Sequence, residues 1–149
     1  MGFEKKSRPV CRAYTSAGQT IANNTWTPVL FDAETYDTDN MITPPIDHIT
    51  IKRLSGYYHI IGQATFYSTS TAGTIRAMLI EAALGTPEAW DWRLPSGAWG
   101  LTALHANSIR YKAVNDVVHM EVYQDSGSSM TLASGWDRTF LAAYHVSGR

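Results

Sequence analysis

Between Gly56 and Tyr67 the sequence alternates with a period of two. Tyr58, Ile60, Gly62, Ala64 and Phe66 fall on one side of an extended chain, and Tyr57, His59, Ile61, Gln63 and Thr65 on the other. Successive side chains of a strand point to opposite faces, whereas a helix repeats every 3.6 residues, so this run is a strand half-buried in a sheet. Asp116–Tyr123 repeats the pattern, with Val118, Met120 and Val122 opposed to His119 and Glu121. Phe140, Ala142, Tyr144 and Val146 do the same against Leu141, Ala143 and His145. Clusters of Gly, Pro, Asn, Asp and Ser separate these runs, and helical periodicity is nearly absent, the combination expected of a sandwich or barrel.

Shorter strands are expected at Val10–Ser16, Thr25–Phe31, His48–Ile51 and Ser108–Val114. Thr74–Leu84 holds good helix formers, but turn residues bracket it and Met78, Ile80 and Ala82 alternate, so it too reads as a strand. The predicted fold is an all-β jelly-roll sandwich of about eight to ten strands. At 149 residues the chain fits one domain. Residues 1–9 read as a short charged arm and 10–149 as the jelly roll.

Only 17% of the residues are charged while 44% are hydrophobic, so part of the surface is expected to face something other than water. A net charge of −1 gives no steering towards nucleic acid or anionic lipid. The single cysteine, Cys11, excludes an internal disulfide framework and reads as a buried thiol. Met1–Pro9 lacks the apolar stretch of a signal peptide, and no apolar run is long enough for a membrane-spanning helix.

In order along the chain stand Trp26, Phe31-Asp32, Ile49-Thr50-Ile51, Gly56-Tyr57-Tyr58-His59-Ile60, Asp116-Val117-Val118, Val122-Tyr123 and Thr139-Phe140. This series resembles the tumour-necrosis-factor-like jelly roll, and within it the globular heads of complement and collagen-tailed proteins. Asn115 stands where that family usually has Gly, and Leu141-Ala142 where it has Ser-Gly. Tyr14, Asn23-Asn24-Thr25-Trp26-Thr27 and Tyr36-Asp37-Thr38-Asp39 are most similar to the copies found in virion proteins of tailed bacteriophages. The resemblance implies a homotrimer packed around a three-fold axis, and no enzymatic activity.

The side chains themselves offer little catalytic chemistry. His48, His59, His105, His119 and His145 contain no His-x-His pair, and His59 and His119, both off the core face, approach one another only if their strands are neighbours. No metal and no cofactor are expected. Ser, His and Asp occur without an activating motif. Trp90, Trp92 and Trp99 crowd a segment that reads as a loop, and suit either partner recognition or the filling of a boundary. Tyr57, Ile61 and Tyr123 leave the core face yet are large and apolar, which marks a candidate trimer interface. Phe3, Lys5, Lys6 and Arg8 of the arm are candidates for tethering the chain to another virion protein.

The expected function is that of a bacteriophage structural protein located in the virion, a capsid decoration or tail-associated knob. The alternatives are a tail-tip adhesin recognising a host surface glycan or protein, and a bacterial carbohydrate- or ligand-binding module. The expected partners are the chain itself and other virion proteins, with neither nucleic acid nor membrane.

Overall fold

The computed structural model describes residues 7–44, 46–67, 75–82, 85–95 and 100–148. Among them the regular structure is all strand: β1 (Val10–Tyr14), β2 (Thr20–Ile21), β3 (Thr27–Pro28), β4 (Ala33–Asp37), β5 (His48–Thr50), β6 (Gly56–Tyr67), β7 (Arg76–Glu81), β8 (Pro87–Arg93), β9 (Leu101–Lys112), β10 (Val117–Gln124), β11 (Met130–Thr131) and β12 (Phe140–Ser147). A first sheet runs β4-β1-β12-β6-β9, and a second runs β3-β10-β7-β8 with β5 also paired to β10. Every strand pairing is antiparallel. The predicted sandwich is the observed one.

The inner faces are those set by the period-two reading. Tyr58, Ile60, Ala64 and Phe66 of β6 are fully buried, as are Cys11 and Ala13 of β1 and Leu141 and Ala143 of β12. Met78 and Ile80 of β7 and Val118, Met120 and Val122 of β10 close the core from the second sheet. The sheets approach closely at Gly62, where a Cβ would lie 3.0 Å from Met120 Sδ and 3.0 Å from Met78 Cε. Burial, followed by the charge of Asp37, pushes the Cys11 thiol far above its ordinary range, so it stays neutral and acts as a small hydrophobe.

Lys112, 2% exposed, reaches Glu88 at 2.6 Å and ties β9, an edge of the first sheet, to β8, an edge of the second. Between β9 and β10 the chain reverses with Asn115 at φ 75°, a left-handed conformation that Asn tolerates.

Several elements differ from the sequence expectation. The Thr25–Phe31 strand shrinks to Thr27–Pro28, because Pro28 has no N–H to donate and the Leu30 N–H turns instead to Gln19 Oε1 at 2.9 Å. β9 starts at Leu101 and not at Ser108, and pairs with β6 along its whole length. Trp90 and Trp92 lie not on a loop but on β8, with Pro87 at its first residue, where an edge strand tolerates it. The end of the arm is also anchored. Arg8 Nη1 donates to the Val146 carbonyl at 2.5 Å, the Ser7 carbonyl accepts from Arg53 at 2.5 Å and that of Pro9 from His145 N–H at 2.9 Å.

Candidate functional site

A two-layer sandwich has two outer faces, and here both carry large apolar groups. On the first sheet, cross-strand pairing places Val10, Tyr144, His59 and Ile109 in one row and Arg12, Ala142, Ile61 and Asn107 in the next. Tyr57 and Tyr111 end this face edge to face, 5.8 Å apart. Ile109 is 60% exposed and Tyr111 42%. The Arg12 guanidinium lies 3.8 Å over the Phe140 ring and donates from Nη2 to the Trp136 carbonyl at 2.5 Å, so the charge is held flat against the aromatic surface. The Tyr36 and Tyr144 hydroxyls share a hydrogen bond, and burial with that bond pushes the Tyr36 hydroxyl well above the usual phenol range. Tyr36 therefore stays neutral.

The second sheet forms a groove of about 580 Å³ on its outer side. Its floor follows from register. Ala77 of β7 is paired with Tyr123 of β10 on one side and with Trp92 of β8 on the other. One step along, Leu79 lies between Glu121 and Trp90. A small side chain flanked by two rings makes a trough. Trp26 widens one wall by packing against Tyr123 at 5.4 Å, and Tyr123 Oη donates to Asn24 Oδ1 at 3.1 Å, which fixes the ring. Trp90 and Trp92 form the other wall and stand 66% and 59% exposed. At its edge the Asp91 carboxylate accepts from Arg93 Nε at 3.0 Å and from the His105 backbone N–H at 2.9 Å. Flat, rigid aromatics over an apolar floor offer stacking and desolvation, the chemistry of capture.

These positions sort the sequence-derived candidates. Tyr57 and Ile61 share the first outer face, Tyr57 exposed and Ile61 half-buried. Tyr123 does not join them: it lies on the second sheet, in the groove wall. Off-core parity says only that a side chain leaves its own sheet's core, and a sandwich has two such sides. Trp90 and Trp92 come together in the groove, whereas Trp99 lies outside the described residues. Phe3, Lys5 and Lys6 also lie outside them, and Arg8 is held on the body by Val146. His59 and His119 fall on different sheets; the strand partner of His119 is His48. Sequence reasoning missed Ala77, Leu79 and Trp26 as groove residues, although the offset of Ala77 and Leu79 from Met78 and Ile80 already placed them on the outer side.

No protein-family model matches the sequence, and no curated protein matches it. Solved structures do match in shape. Murine APRIL is 10% identical with a TM-score of 0.69, over 94% of this chain and 100% of that one. The globular domain of zebrafish complement 1qA is 11% identical with a TM-score of 0.64, over 95% of this chain and 100% of that one. Eiger TNF from S. frugiperda is 7% identical with a TM-score of 0.66, over 96% of each chain. At such identities the likeness speaks for the fold alone. This chain has the jelly-roll fold shared by tumour-necrosis-factor-like and complement globular-head domains.

Proposed function

We propose that the chain is a non-enzymatic assembly and binding knob. Three copies pack through the outer face of the first sheet, around Tyr57, Ile61 and Tyr111, and turn the aromatic groove of the second sheet outward. One observation carries this reading: the two apolar outer faces lie on opposite sides of the sandwich. A water-facing strand face is ordinarily polar, so each of these faces is suited to contact, and using one for the three-fold axis leaves the other free for a partner.

The setting we infer is a tailed-phage virion, as a capsid decoration or tail-associated piece. Support for it comes from the sequence resemblance at Tyr14, Asn23–Thr27 and Tyr36–Asp39. Within that setting, the exposure of Trp90 and Trp92 favours a second reading, a head that recognises a host surface glycan or protein. Binding of purified protein to empty capsids, to tails and to host cell walls, each with wild type and with Trp90→Ala/Trp92→Ala, tests both. Attachment to capsids or tails that survives the double substitution supports the structural piece. Attachment to cell walls that the substitution abolishes supports the receptor-binding head. Absence of binding to all three contradicts the virion setting.

A further inference from the structure

The outer side of the second sheet carries a cluster that the groove does not use. Ile49, Val118 and Ile80 point into the core with no exposure, so the neighbouring His48 of β5 and His119 of β10 point out. Register sets His48 opposite His119, and His119 opposite Glu81 of β7. The two imidazoles lie 5.2 Å apart, centre to centre. His48 Nδ1 is 2.7 Å from Asp47 Oδ1. Asp47, His48 and His119 each offer a ligand atom, and the three atoms lie within 4.8 Å of one another.

We propose that Asp47, His48 and His119 form a zinc site, with water in the fourth position. Zinc prefers four nitrogen and oxygen donors at about 2.0–2.2 Å, which makes a tetrahedron with edges of about 3.3 Å. Small side-chain rotations close the present spacing to that size. The proton between Asp47 and His48 leaves as the metal enters, or stays to orient His48 while its other nitrogen binds.

Hydrogen bonding alone leaves the cluster incomplete. His119 Nδ1 is buried with no partner. Glu81 is 1% exposed; its Oε1 accepts from Gly85 N–H at 3.2 Å, and its Oε2 is buried with no partner. Glu121, two residues from His119, lies on the same side of β10. Among the described residues neither Glu81 nor Glu121 has a basic ion-pair partner. Buried, unsatisfied donors and acceptors beside excess negative charge are what a bound cation would complete. The imidazoles select zinc over calcium or magnesium, which take oxygen ligands. Bound there, zinc clamps the three-residue β5 to β10, the strand that also carries Tyr123. The inference rests on the fold and is independent of the proposed binding role.

The test uses the full chain without a polyhistidine tag, stripped by chelator and titrated with zinc chloride by calorimetry. One zinc per chain is expected, with a raised melting temperature. His48→Ala and His119→Ala should each weaken binding at least tenfold, while His59→Ala and His105→Ala, on the first sheet, keep wild-type affinity. Asp47→Asn, a milder change beside β5, should weaken binding with the fold intact by circular dichroism. Cobalt should bind with the visible absorption of a tetrahedral site, and calcium should not compete. No zinc uptake, uptake unchanged by His119→Ala and Asp47→Asn, or equal binding of calcium would overturn the proposal.

Discussion

Tyr57 meets Tyr111 edge to face across the β6–β9 pairing, with ring centroids 5.8 Å apart and planes at 79°, on the side of the sheet away from the core. Such a pair gains from the ring quadrupoles, yet both rings remain substantially exposed in the single chain. In the proposed trimer this pair lies in the contact surface.

Tyr57→Asp or Ile61→Asp therefore should break the trimer before the jelly roll. An unpaired charge in a desolvated interface costs on the order of 3–5 kcal/mol. On the outer face of a lone chain the same charge meets water. Sedimentation should show dissociated chains whose far-ultraviolet spectrum is unchanged. Mutants that stay trimeric would place a different face at the axis.

Gly62→Val should destabilise the fold itself. Its added atoms would enter the space held by Met120 Sδ, Met78 Cε and Ile80 Cδ1, the last only 3.1 Å from a Cβ. Overpacking of this kind costs about 1–3 kcal/mol. Combining it with Met78→Val should recover part of the loss, because the Met78 methyl is one of the groups displaced. Strict additivity in urea denaturation would mean the two residues do not share that space.

His145 should make the protein acid-sensitive. Its ring packs against Tyr58 at 5.1 Å, and burial, then the charge of Arg8, lowers its proton affinity in the folded state. A base whose folded pKa is depressed favours the fold while both states are neutral, above the ordinary imidazole value of about 6.5. That stability is lost as the pH falls from there through the folded value, because the unfolded chain then binds the extra proton. Replacing His145 with Gln should flatten the dependence of melting temperature on pH in this window, and replacing the exposed His105 should not.

Much of the fold was legible because β6, β10 and β12 bury one side and expose the other, which writes their period into the sequence. β8 escaped notice because its exposed positions are tryptophans, so Trp90 and Trp92 hide the usual polar alternation. The first half of β9 escaped because Ala103, His105 and Asn107 are weak strand formers, held in place by pairing with β6. The site was legible only in part. Parity marked Tyr57, Ile61 and Tyr123 as off-core, but assigning each to one of two outer faces needs the strand order. The His48–His119 contact depends likewise on β5 pairing with β10 across 71 positions of sequence.

The proposed use of the two outer faces depends on self-association through the first sheet. Sedimentation equilibrium of the purified chain at micromolar concentration measures it most directly. A trimer would appear as a single species of three times 16.5 kDa. A clean 16.5 kDa monomer across that range would contradict it.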